Sequence, residues 1–172
     1  SDLNNAVEGR QYASEALVLS QKIGYKKGEA AAFKNTGHSY EWEDNYVEGL
    51  TFFQKALYIN LKIKEKKEAS LNYYSIGQMY HTLGNYAKAS ENYFSALKLS
   101  EQTGYEWGIA YSNNNIGLLY FDQGNYGEAL KYYTAALKTV QRLGDKNGIA
   151  YFTANIADAY KKQMPTLDED KI

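Results

Sequence analysis

Among its 172 residues the chain has no cysteine, one proline and only two histidines. Without cysteine there is no disulfide framework, no thiolate metal site and no cysteine nucleophile. The compartment stays open, because oxidising and reducing spaces both tolerate cysteine-free chains. Excess charge is missing too. The 19 Lys+Arg against 20 Asp+Glu leave no electrostatic footprint for nucleic acid or an anionic membrane. No apolar run approaches the ~20 residues of a membrane span, and no signal-peptide pattern is visible. A protein that is not membrane-embedded is expected, with the cytoplasm favoured and an extracytoplasmic sensor domain as the alternative.

What the chain does have is 44% hydrophobic residues, enough to bury a continuous core, and 18 tyrosines. Many tyrosines recur at fixed intervals, so packing is their first reading. The stretch 115–130, NIGLLYFDQGNYGEAL, is copied 40 residues earlier as SIGQMYHTLGNYAKAS. In register stand Gly37, Gly77, Gly117 and Ala157; Tyr40, Tyr80, Tyr120 and Tyr160; Asn45, Asn85 and Asn125; Tyr46, Tyr86 and Tyr126. A period of this length held through several copies means a repeat array.

Each unit carries two helical patterns. Tyr73, Ile76, Gly77 and Tyr80 mark one stripe of a first helix, A. Gly84 and Asn85 then break it, glycine suiting a left-handed cap and asparagine the next N-cap. Helix B follows, with Tyr86, Ala89, Tyr93, Ala96 and Leu97 on one face. Glu48 and Glu128 stand three residues after Asn45 and Asn125, the capping-box spacing. Gly24, Gly104 and Gly144 close the B helices. Gly77 and Ala89 let the two backbones approach, and Tyr80 and Tyr93 fill the space alongside.

Gly77, Tyr80, Ala89, Tyr93 and Ala96, with Ile76 and Tyr73, match the relative spacings of the tetratricopeptide repeat signature, as do Gly117, Tyr120, Ala129, Tyr133 and Ala136. The chain therefore resembles that family over nearly its whole length. Its longer period, against the usual 34, resembles the long-repeat subclass of LGN/Pins-type scaffolds and of bacterial regulators. The resemblance implies an all-α fold, a right-handed α-solenoid of antiparallel helix pairs. About eight helices are expected: B at 5–23, repeats at 28–63, 68–103 and 108–143, then A at 147–162. Residues 165–172 read as a tail or the start of a truncated helix. Both ends stop mid-repeat, as in a piece of a longer array; a small protein with degenerate caps is the alternative. Between Leu61 and Ser70 the charged run LKIKEKKEAS puts Lys64 where other copies have glycine. A normal turn is expected there, with a continuous helix and segment exchange between chains as the alternative.

In such a solenoid the concave wall is made mostly of A helices, so their residues outside the core stripe should line a groove. These include Ala31, Lys34, Asn35, His38 and Glu41; Leu71, Tyr74, Ser75, Gln78 and His81; Tyr111, Asn114, Asn115, Leu118 and Phe121; Tyr151, Ala154, Asn155, Asp158 and Lys161. The row Asn35, Ser75, Asn115, Asn155 offers amides, each both donor and acceptor, and in similar proteins asparagines there hold the backbone of an extended peptide. The alternative is that each ties neighbouring helices together. Tyr74, Tyr111, Tyr151 and Phe121 are candidate anchors or inter-repeat packing. Lys34 and Lys161 are too few for a carboxylate clamp.

Enzymatic patterns are missing. His38 and His81 lie a repeat apart with no paired ligand, and there is no P-loop, GxGxxG or GxSxG elbow. Glu41, Glu43 and Asp44 read as a solvated face, and Lys62–Lys67 as a solvated turn. The expectation is a non-catalytic module, without metal or cofactor, that binds a peptide segment or a partner's helix as the sensory or adaptor part of a larger regulator. End-to-end self-assembly through the incomplete terminal repeats is the second reading.

Overall fold

Short left-handed turns set the architecture. In the computed structural model, which describes residues 2–164 with side chains from residue 6, Gly24, Gly84, Gly104, Gly124 and Gly144 all have φ between 64° and 75°. Each lies just past a helix, where the absence of a Cβ makes that conformation cheap. The N–H that follows folds back to the carbonyl five residues earlier, as Tyr25 does to Ser20 at 2.8 Å and Asn85 to Tyr80 at 2.8 Å. The chain thus reverses within two or three residues at each turn.

Eight helices and no strand are found among the described residues. They are α1 (Asp2–Lys22), α2 (Lys26–Trp42), α3 (Tyr46–Lys62), α4 (Lys66–Thr82), α5 (Tyr86–Thr103), α6 (Glu106–Asp122), α7 (Tyr126–Leu143) and α8 (Lys146–Gln163). Even-numbered helices occupy the A position and odd-numbered ones the B position. The reading of Pro165 as the start of a further helix, or of 165–172 as a tail, lies outside the described residues. The charged linker is a turn: α3 ends at Lys62, α4 begins at Lys66, and Lys64 takes φ 62° in glycine's place.

The chain divides between Gly108 and Ile109 into two compact units. In the first, Leu50, Phe53, Ile76 and Met79 form a core cluster flanked by Tyr46, Leu57 and Tyr80. An aromatic ring lies over both Gly37 and Gly77. A Cβ on Gly37 would stand 2.9 Å from Phe53 Cε1, and one on Gly77 2.6 Å from Tyr93 Cδ1. Ala89, Tyr93 and Ala96 are fully buried as the helical stripe requires, but Tyr86 is 41% exposed and lies at the edge of that face. In the second unit, Ala110, Ala136, Val140 and Phe152 form one cluster, and Ala129, Tyr133 and Ala159 another. The expected capping boxes form only in part. Asn125 accepts from the Glu128 N–H at 3.4 Å while the Glu128 carboxylate binds Lys131; Asn45 makes no side-chain cap bond, and Asn85 caps α5 without a glutamate partner.

Candidate functional site

The open face of α2 collects the predicted residues of the first complete repeat. Ala30, Ala32, Gly37 and Ser39 turn into the core, leaving Ala31 and Asn35 exposed and Lys34 and His38 half-buried. On one side of that face a cleft of about 700 Å³ opens between α1 and α2, lined by Tyr12, Ala13, Ala16, Asn35, His38 and Trp42 among others. On the other a cleft of about 410 Å³ opens towards α4, lined by Ala31, Lys34, Asn60, Glu65 and Glu68 among others. Asn35 makes no hydrogen bond within the described residues, so both its donor and its acceptor remain available.

Charge in the second cleft is largely paired. Lys34 Nζ reaches Glu68 Oε2 at 3.0 Å and Lys27 Nζ reaches Glu65 Oε1 at 2.5 Å. The Glu65 carboxylate holds the Lys27 ammonium above its ordinary range. The Lys34 pair ties α2 to α4, and the Lys27 pair ties α2 to the residue that caps α4. Tyr105, at the end of the same unit, has its phenol pushed up by burial and then by Glu68, with Lys67 Nζ 4.5 Å from its ring centre.

The remaining predicted residues are held more firmly. His38 Nδ1 meets Glu41 Oε2 at 2.9 Å, and its ring stands edge-on to Phe53 at 4.9 Å. His81 packs against Tyr86 and Tyr93 at 5.6 and 6.4 Å. Tyr74 is half-buried with its ring 6.1 Å from Tyr93, Ser75 is buried, and Gln78 is half-buried. The carboxylates Glu43 and Asp44 bind Arg10 at 2.6 Å and the Tyr46 hydroxyl at 2.5 Å. No group of three potential metal ligands occurs among the described residues.

In the second unit the asparagines form a relay. Asn155 Nδ2 donates to Asn114 Oδ1 at 2.8 Å, and Asn114 Nδ2 donates to Asn115 Oδ1 at 3.2 Å. Asn114 is 1% exposed and Asn115 7%. Tyr111 stands edge-on to Phe152 at 5.4 Å, while Tyr151, half-exposed, tilts over the same ring at 5.7 Å. The expected row of open amides is therefore not uniform. Ser75 and Asn115 are buried, Asn155 binds a neighbouring helix, and only Asn35 presents a free amide. Buried amides satisfy one another because leaving them unpaired is costly.

Sequence reasoning missed Tyr12 and Trp42, which border the larger cleft. A signal was present at Ala13, which occupies the register position of Phe53, Tyr93 and Tyr133. The small residue there leaves room that an aromatic ring fills in the other three copies.

A family model described as tetratricopeptide repeat matches residues 28–102 and 108–163. No curated protein matches the chain in sequence. Among solved structures, BtubC (BKLC) from P. vanneervenii superposes with a TM-score of 0.79 at 20% identity, over 92% of this chain and 67% of that one. A Signal Transduction ATPase with Numerous Domains (STAND) protein from Pyrococcus horikoshii, with a tetratricopeptide repeat sensor, gives 0.78 at 18% identity; 96% of this chain spans only 28% of that protein. TPR-like repeats of a kinesin light chain from Podosopora anserina give 0.69 at 13% identity, over 94% and 84% of the two chains. No helix among the described residues is long and apolar enough to cross a membrane. With its repeat signature, the eight helices of its described residues and a family match over more than half its length, the chain belongs to the tetratricopeptide repeat family.

Proposed function

We propose that the chain is a non-catalytic binding module that captures a peptide segment or a partner's helix along its A helices, as the sensory or adaptor part of a larger regulatory protein. Tetratricopeptide repeats in general are scaffolds for protein–protein interaction rather than catalysts. The observation that carries the reading is the open face of α2: its non-core residues border two clefts, and its exposed Asn35 amide has no partner. Asn35, His38, Tyr74 and Gln78 supply contacts in the first unit, and Tyr111 and Tyr151 in the second, where Asn114, Asn115 and Asn155 hold helices in place. The 40-residue spacing and the sensor repeats of the STAND neighbour support the regulatory setting and the long-repeat subclass.

Selection of a displayed random-peptide library against the folded chain tests this. Enriched peptides should bind the wild type and lose at least about tenfold in affinity against an Ala31→Arg, Asn35→Ala, His38→Ala variant, the scale of a binding hot spot. Enriched peptides indifferent to that variant would refute the assignment of the face.

End-to-end assembly is the second reading, favoured by the exposure of Val7, Tyr12, Val18 and Leu19 on α1. Sedimentation equilibrium decides it. Mass that rises with concentration supports assembly, and a constant monomer mass removes it.

A further inference from the structure

The first complete repeat departs from its copies along the seam between α2 and α3. Phe33 stands where the later copies have Tyr73 and Asn113, Lys55 where they have Ser95 and Ala135, and Tyr58 where they have Lys98 and Lys138. Glu29 occupies a position that is otherwise Ala69, Ile109 and Ile149. The scaffold does not require these residues, since the other copies fold without them.

Together they build a cleft of about 380 Å³ floored by Phe33, Ile59 and Ile63, with Tyr58 60% exposed at its side. Glu29 is buried and its carboxylate is offset by Lys26, 2.6 Å away. Lys55 and Lys62 are different. Lys55 Nζ lies 4.8 Å from the Phe52 ring centre and 5.6 Å from that of Phe33, and Lys62 Nζ lies 4.5 Å from that of Tyr58. Neither meets a carboxylate among the described residues. Two ammonium groups on aromatic faces therefore flank an apolar hollow, and the local charge is positive although the chain as a whole is balanced.

We propose that this seam is a second docking surface, separate from the open face of α2, and that it takes an acidic amphipathic helix of a partner protein. Lys55 and Lys62 are seven residues apart on α3, about 10 Å along the axis. A helix with two carboxylates seven residues apart and a leucine between them matches that spacing. Its carboxylates meet the two lysines while the leucine enters the hollow over Phe33 and Ile59. Charge complementarity sets register, and the apolar anchor supplies the buried contact.

The test is a titration of the full chain with a capped 16-residue alanine-based helical peptide carrying Glu at positions 5 and 12 and Leu at 8 and 9. Binding is followed by fluorescence anisotropy and by amide chemical shifts. The expected result is saturable binding with shifts centred on Phe33, Lys55, Tyr58 and Lys62, weaker at 0.5 M than at 0.05 M salt because exposed charges are screened. Lys55→Glu with Lys62→Glu should weaken it about five- to tenfold, the scale of two exposed ion pairs turned repulsive. Both positions are exposed, so an unchanged thermal melt will show the variant folded. No saturable binding, shifts confined to other faces, or equal binding of a peptide with Lys for Glu or Ala for Leu would overturn the proposal. So would shifts at the same residues on raising protein concentration without peptide, which would assign the seam to a second copy of the chain.

Discussion

Gly117 lies directly beneath the ring of Tyr133: a Cβ on the glycine would stand 2.7 Å from Tyr133 Cδ1 and 3.2 Å from the Ala129 carbonyl oxygen. The contact has no slack, because Tyr133 is 1% exposed and Ala129 and Ala159 close around it. In an open helix, Gly→Ala gains roughly 1 kcal/mol from propensity. Here overpacking opposes that gain by about 1–3 kcal/mol. Gly117→Leu should therefore lower the thermal midpoint, and Gly117→Ala should be neutral or destabilising. Gly9 sits in α1 with nothing within 4 Å of its would-be Cβ, so Gly9→Ala should raise the midpoint. Equal effects at the two sites would refute close packing at Gly117.

Lys64 tests the turn chemistry. It takes φ 62° where five other turns place glycine, and Asp44 does the same at φ 56°. An L-residue in that region costs about 1–2 kcal/mol, less for aspartate, whose short side chain tolerates it. Lys64→Gly should stabilise the chain by about 1 kcal/mol in urea melts, and Asp44→Gly by less. A loss on Lys64→Gly would mean that its side chain contributes more than its backbone costs.

The fold was largely legible because the repeat writes the same constraints several times. Glycine at five of the seven turns, small residues at the crossings and a ring over Gly37, Gly77 and Gly117 need only local spacing to be seen. The open face of α2 was legible in part. Lys34, Asn35 and His38 fall outside the core stripe by simple periodicity, yet no spacing shows that Lys34 meets Glu68, 34 residues away. The asparagine row misleads for the same reason. Position alone cannot separate the free amide of Asn35 from Asn155, whose partner Asn114 is 41 residues distant. The α2–α3 cleft required reading where one copy differs from the others, not where they agree.

A second buried amide pair predicts non-additive energetics. Asn60 Nδ2 donates to Asn72 Oδ1 at 2.7 Å, and both residues are buried. At the equivalent register the last copy uses Val140 and Phe152, which share an apolar cluster. Asn60→Leu alone strands the Asn72 amide and should cost about 1–3 kcal/mol. Asn60→Leu with Asn72→Leu removes both polar groups and should recover most of that loss. A double-mutant cycle in urea measures the coupling, and a double variant as unstable as the sum of the singles would refute it.

Tyr133 gives the pH dependence. Burial, helped by the negative charges of Asp122 and then by Tyr151 and Asp158, pushes its phenol well above the ordinary 10.0. Below pH 10 the phenol is protonated in both folded and unfolded chains and contributes no pH dependence. Above pH 10 the unfolded tyrosine releases its proton while the folded one keeps it. The folded state then binds more protons, so stability falls as pH rises. Urea midpoints of the wild type should fall between pH 10 and 11, and those of Tyr133→Phe should fall less steeply over the same range. Tyr12, Tyr46, Tyr105 and Tyr132 are raised as well, but both proteins carry them, so they cancel in the comparison of slopes. Identical alkaline slopes for the two proteins would show that the Tyr133 hydroxyl reaches water in the folded chain.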